Sequence, residues 1–141
     1  MRFWDSSAVV PLMAAETTSD ELVRIREQDP VMWIWWGTRV EVCSALNRRR
    51  REGNMTAAAL TVAVARLDLI SKTWDEIAPS DEIRGTAEKL LRVHDLRAGD
   101  VLQLAAAIAA AEGQPGELEF VGLDRRLNLA AALEGFRLLP P

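Results

Sequence analysis

The sequence predicts an α/β fold, a three-layer α/β/α sandwich around a mostly parallel central sheet, on three observations. Short apolar strands alternate with helical segments along the chain, and such connections require parallel pairing with helices on the sheet faces. One stretch, Val31-Met32-Trp33-Ile34-Trp35-Trp36, is an unbroken apolar run rich in aromatic and β-branched residues, the pattern of a strand buried on both faces. The 141 residues, 49% hydrophobic and 27% charged, suffice for one compact core and not for two sizeable ones. No internal repeat or low-complexity tract divides the chain, so residues 1–141 read as a single domain.

Arg2-Phe3-Trp4 reads as a short strand ending at Asp5, and Ser6-Ser7 as a loop entering a helix with Pro11 in its first turn. Ser19 to Gln28 carries Leu22, Val23 and Ile25 among charges, an amphipathic helix stopped before Pro30. After the tryptophan-rich strand and Gly37, a helix spans Thr38 to Arg51 and stops at Gly53-Asn54. A longer helix runs from about Thr56 to Lys72, then a strand from Trp74 to Ala78 and a helix from a Ser80 cap to Val93. Asp100 to Glu112 is an alanine-rich helix broken by Gly113, Pro115 and Gly116. Leu118 to Leu123 is a strand, Asp124 starts a last helix to about Glu134, and Phe136 to Leu139 closes the sheet.

A net charge of −4 removes bulk electrostatic attraction to nucleic acid or anionic lipid, so any polyanion must be held by a local patch. Cys43 is the single cysteine and His94 the single histidine, which excludes an intramolecular disulfide and a Cys/His zinc set. Asp5 stands where a secretory signal needs an apolar core, and no charge-free run approaches the ~18 residues of a membrane helix. A cytoplasmic protein with no membrane partner is expected.

Ligands of such sheets sit beyond the carboxyl ends of the strands. Asp5 and Asp124 are expected there directly after strands, and Glu41 and Asp100 in the first turns of following helices. Ordinary roles compete: Thr38-Arg39-Val40-Glu41 matches a capping box, and Asp100 and Asp124 fit N-caps. Together, four neighbouring carboxylates raise one another's pKa, a conflict that a divalent cation removes. Hard oxygen donors point to Mg²⁺ or Mn²⁺, which polarises a phosphoryl oxygen and activates water.

These residues resemble the PIN domain, and within it the VapC-type ribonuclease toxins of prokaryotic toxin–antitoxin pairs. Phe3-Trp4-Asp5-Ser6-Ser7-Ala8-Val9-Val10 is similar to the family's opening strand-Asp-Ser/Thr block. Trp36 to Leu46, centred on Glu41, resembles the second block, and Leu96 to Ala107, with Asp100 ahead of an alanine-rich helix, the third. Phe120 to Leu127 resembles the fourth, with Asp124 in its acidic position. The chain departs at Gly122, where many members carry Thr or Ser. The resemblance implies a Mg²⁺- or Mn²⁺-dependent endoribonuclease, a cognate antitoxin whose C-terminal segment occupies the active-site groove, and a homodimer within the toxin–antitoxin complex.

Asp5, Glu41 and Asp100 are then the expected metal-binding and catalytic residues, Asp124 completes the site or holds a second ion, and Ser6 or Ser7 orients a metal-bound water. Arg48-Arg49-Arg50-Arg51 is the strongest basic cluster, read either as a solvated last turn or as an RNA or antitoxin contact about 10 to 15 Å from Glu41. Arg125 and Arg126, beside Asp124, are expected nearer the scissile region. Strand alternation sends Trp33 and Trp35 to one face and Trp36 to the other, so core packing is preferred over base stacking for these three, and for Trp4 and Trp74. Cys43 reads as a small buried hydrophobe, and His94 receives no role. A haloacid-dehalogenase phosphatase also begins strand-Asp but needs a second Asp where Ser7 stands. The remaining alternative is a catalytically inactive PIN-like module that binds protein or RNA.

Overall fold

The computed structural model describes residues 1–15 and 17–140. In chain order these form β1 (Arg2–Trp4), α1 (Ser6–Met13), α2 (Ser19–Gln28), β2 (Met32–Trp35), α3 (Thr38–Arg51), α4 (Ala57–Ile70), β3 (Trp74–Ile77), α5 (Asp81–Leu90), α6 (Ala98–Ala110), a 3₁₀ turn (Pro115–Glu117), β4 (Glu119–Val121), α7 (Arg125–Leu133) and β5 (Arg137–Leu139). The strands make one sheet in the order β3-β2-β1-β4-β5. All four pairings are parallel, so the sheet is wholly parallel.

Alternation of side chains along the strands divides the core in two. Trp4, Met32, Ile34, Trp74 and Val121 pack under helices α1 to α4. Phe3, Trp35 and Phe120, with Trp33 beside them, pack under α5, α6 and α7. Three layers result, as the sequence predicts. On the second face Phe3 stacks on Phe120 with centroids 5.7 Å apart, and the alanines of α6 bring its backbone close to the sheet. At the amino edge Arg2 Nε donates to Glu119 Oε2 at 2.8 Å, joining β1 to β4 in register.

Several expected boundaries shift for local reasons. Asp5 caps α1, so the helix begins at Ser6 and Pro11 falls in its second turn, not its first. The tryptophan strand is only Met32–Trp35: Val31 and Trp36 lie outside it, and Trp36 is 56% exposed instead of buried. The Trp36 N–H still bonds Ile77 O at 3.1 Å, but the chain then turns at Gly37 and no helix covers the indole. A Cβ on Gly37 would lie 2.6 Å from Trp35 Nε1, so glycine admits the buried indole against the turn. The helix expected to reach Val93 ends at Leu90, and α6 starts at Ala98, two residues before Asp100. Cys43 is half-buried against the first core. Among the described residues no helix is long and apolar enough to cross a membrane.

Candidate active site

The strand order reverses direction between β1 and β4, where β1 leads into α1 on one face and β4 into α7 on the other. A crevice opens at such a point, beyond the carboxyl ends of the strands. Here Asp5, Glu41, Asp100 and Asp124, from four separate segments, line one cleft of about 490 Å³ together with Ser6, Ser7, Val40, Ser44 and Arg48. The sequence thus foresaw the gathering of its four acids.

Asp5 is the most constrained of them. Its backbone N–H bonds Val121 O at 2.9 Å, extending the ladder one residue past β1, and its side chain is buried. Its carboxylate accepts the Ser7 N–H at 3.0 Å and the Ser7 hydroxyl. Burial raises the Asp5 pKa from 3.8 to about 6; the Ser7 hydrogen bonds oppose the rise and the charge on Glu41 adds to it. Glu41 is raised, first by burial, with Ser6 and Gln103 opposing. Asp100 is raised by burial and then by the charge on Asp124.

The capping box does not form. Gly37 is the N-cap of α3, and Thr38 is its first residue. Thr38 and Gln103, both fully buried, pair with each other, Gln103 Nε2 donating to Thr38 Oγ1 at 2.9 Å. The same amide lies 3.1 Å from Glu41 Oε2, and Ser6 Oγ donates to that oxygen at 2.7 Å. Glu41 is therefore held by α1 and α6, not by its own helix end. Its other oxygen faces Gly99, where a Cβ would sit 3.7 Å away.

Asp100 does not cap α6 either, since Arg97 occupies that position and its N–H bonds the Asp100 carboxylate. Asp124 does cap α7, accepting the Leu127 N–H at 2.8 Å, and Gly122 and Leu123 separate it from β4. The Ser7 hydroxyl, expected to orient a water, is fully used: it donates to Asp5 and accepts the Leu123 N–H at 2.8 Å and the Asp124 N–H at 3.3 Å. This clamps the β4–α7 connection to Asp5. At Gly122 a Cβ would lie 2.6 Å from Asn128 Oδ1, because the Asn128 amide fills that space while donating to Gly122 O at 2.8 Å. A Thr or Ser there meets an occupied position.

The arginines divide differently from expectation. Arg48 lines the cleft, because Glu41, Ser44, Ala45 and Arg48 follow one face of α3, while Arg49 lines a separate hollow with Met55 and Val62. Arg125 and Arg126 are not among the side chains lining the cleft, but Arg126, 3.8 Å from Asp95, is close enough for its charge to lower the pKa of Asp100. His94, given no role from sequence, meets Glu134 at 2.6 Å and ties the α5–α6 connection to the end of α7. Sequence reasoning missed Thr38 and Gln103. The available signal was a lone glutamine three residues after Asp100 inside an alanine-rich helix.

All site donors are hard carboxylate and hydroxyl oxygens, the set that suits Mg²⁺ or Mn²⁺. Three of the four acids are raised in pKa, first by burial and then by the charge of a neighbouring carboxylate. Among the described residues no three Asp, Glu, His or Cys side chains form a ready metal cage. The donor chemistry fits a divalent ion whose shell is completed by water.

Two curated relatives, ribonucleases VapC45 and VapC49 from two strains of Mycobacterium tuberculosis, are each 29% identical over 98% of this chain and 94% of their own. In sequence and in fold, this chain is similar to VapC proteins. The structure of M. tuberculosis VapC20, described as a sarcin-ricin loop cleaving toxin, matches this chain with a TM-score of 0.70 at 19% identity over 96% of both chains. VapBC2 from Rickettsia felis, solved on a DNA fragment from its promoter, matches with a TM-score of 0.65 at 13% identity over 97% of this chain and 96% of that one. A toxin–antitoxin complex from Klebsiella pneumoniae matches with a TM-score of 0.61 at 18% identity, covering 88% and 87%. These structural likenesses carry the fold. No protein-family model matches this chain.

Proposed function

We propose that the chain is the toxin of a type II toxin–antitoxin pair, a cytoplasmic endoribonuclease that hydrolyses RNA phosphodiester bonds with a Mg²⁺ or Mn²⁺ ion. The observation that carries this reading is the convergence of Asp5, Glu41, Asp100 and Asp124 on one cleft at the strand-order reversal. Similarity to the VapC ribonucleases over nearly the whole chain supports it. Asp5, Glu41 and Asp100 hold the ion, directly or through water, and Asp124 completes the site. The bound ion supplies Lewis-acid polarisation of the phosphoryl group and a lowered pKa for an attacking water. Ser6 and Gln103 fix one Glu41 oxygen, and Ser7 fixes Asp5 and the backbone before Asp124, so the protein's part is to hold its acids in place before substrate arrives. An antitoxin that covers this cleft is the expected partner, on the precedent of the toxin–antitoxin complexes that share the fold, together with a homodimer.

The test is incubation of the purified chain, freed of any partner, with cellular RNA, with and without Mg²⁺ or Mn²⁺. Discrete cleavage appears only with the ion, and Asp100→Asn lowers it by at least about 100-fold, more than loss of an outer-shell partner costs. The second reading, a PIN-like binding module, is favoured by the lack, among the described residues, of a ready cage of three ligands. It requires the RNA to stay intact at every ion concentration.

A further inference from the structure

Asn128 lies outside the acid cleft, yet its side chain braces the segment that carries Asp124. Its backbone N–H donates to Asp124 O at 2.8 Å in the first turn of α7, and its side-chain amide turns back past the cap and donates to Gly122 O at 2.8 Å. The amide pairs in one orientation, since exchanging its two ends would set an oxygen against the Gly122 oxygen. In that orientation Asn128 Oδ1 is buried and, among the described residues, has no partner. A buried acceptor without a donor costs stability, and an apolar side chain at this place would avoid the cost. What asparagine adds is the bond to Gly122 O. The amide is also confined, because Gly122 has no Cβ and one there would stand 2.6 Å from Asn128 Oδ1 and 2.9 Å from Phe120 Cε1.

We propose that Asn128 is a positioning residue, which sets the place of the Asp124 carboxylate by gripping Gly122 O. The proposal rests on the metal-site reading for the task of Asp124 and adds how that acid is held from its own helix. Asp124 is exposed, and the one bond that fixes its carboxylate is the cap on Leu127 N–H. Its place relative to the other acids is therefore decided by the backbone that leads to it. Three elements hold that backbone: β5 through Leu139 O on the Gly122 N–H at 3.1 Å, α1 through Ser7 Oγ on the next two N–H groups, and α7 through Asn128 on the Gly122 carbonyl. Asn128 is the side chain that ties the connection to the helix whose first turn Asp124 caps, so connection and cap move as one body.

The test compares wild type with Asn128→Ala and Asn128→Leu in the full chain, below the unfolding temperature of each. Leucine keeps the volume of asparagine and lacks its donor. Amide hydrogen exchange of the metal-free proteins is read first. The N–H of Leu127, bonded to the Asp124 carboxylate, and that of Leu123, bonded to Ser7, exchange roughly tenfold faster in both variants. The Asp5 N–H, bonded to Val121 O in the ladder, keeps its wild-type rate. Titration with Mn²⁺ shows affinity lowered about 10- to 100-fold, the range for loss of a group that holds a ligand in place, and kcat for RNA falls with KM unchanged. Unchanged exchange at Leu123 and Leu127 overturns the proposal whatever the protein cleaves. Wild-type behaviour of Asn128→Leu beside an impaired Asn128→Ala assigns the effect to volume and overturns the grip. Faster exchange with Mn²⁺ affinity and kcat at wild-type values also overturns it, since the bond then holds a loop and not the site. Faster exchange in a protein whose wild type neither binds Mn²⁺ nor cleaves RNA refutes the nuclease and keeps the grip on Asp124.

Discussion

Asp5 caps α1 with the same carboxylate that faces the cleft, and Asp124 does the same for α7. Capping and site chemistry, which compete as readings of a sequence, coincide here because a helix that starts just after a strand places its N-cap at the carboxyl edge of the sheet. The buried charge of Asp5 has a cost. Its pKa rises from 3.8 to about 6 on folding, so between these values the native state binds more protons than the unfolded one. Stability of the metal-free protein therefore falls as pH rises from about 4 through about 6, by about 2–3 kcal/mol from this group. Asp5→Asn keeps an oxygen to cap α1 and removes the charge. Thermal melts without divalent ions are predicted to show the variant more stable than wild type at pH 7.5, with the gain gone by pH 4 and RNA cleavage lost. A variant less stable at both pH values contradicts the claim that Asp5 is held at a cost.

At the scale of elements, α3 and α6 meet through a polar contact inside an otherwise apolar region. Thr38 starts α3 and Gln103 lies in the second turn of α6, and their pairing leaves the glutamine amide within reach of Glu41. Gln103→Leu keeps the volume and removes the donor. The loss leaves Thr38 and Glu41 short of a buried partner, so chemical denaturation is predicted to show a decrease of about 1–3 kcal/mol. Cleavage should fall while the salt slope of RNA binding stays at its wild-type value. The helices themselves were largely legible: α2 and α3 lie where amphipathic spacing, Pro30 and Gly53 put them. The side-chain exchange between α3 and α6 was not, because Thr38-x-x-Glu41 satisfies a local capping pattern and only the tertiary approach of Gln103 outcompetes it. Trp36 escaped for a related reason. Alternation assigns a residue to a face but does not say that an element lies above it.

For the molecule as a whole, alternation of strand and helix sufficed to read a parallel three-layer sheet, and the position of the acids within it to read a shared cleft. The strand order β3-β2-β1-β4-β5 came from the structure, and it is what sets the first strand, and Asp5 with it, between the two halves. The acidity of the chain then has two origins, a surface excess and a site whose carboxylates are raised in pKa first by burial and then by one another's charge. The central claim is that these acids act as one divalent-ion site. Titration calorimetry of Mn²⁺ into the full chain at pH 7.5 tests it most directly, with wild type compared with Asp5→Asn and Asp100→Asn. The account predicts saturable binding in wild type that either substitution abolishes; no binding in wild type, or the same binding in all three proteins, contradicts it.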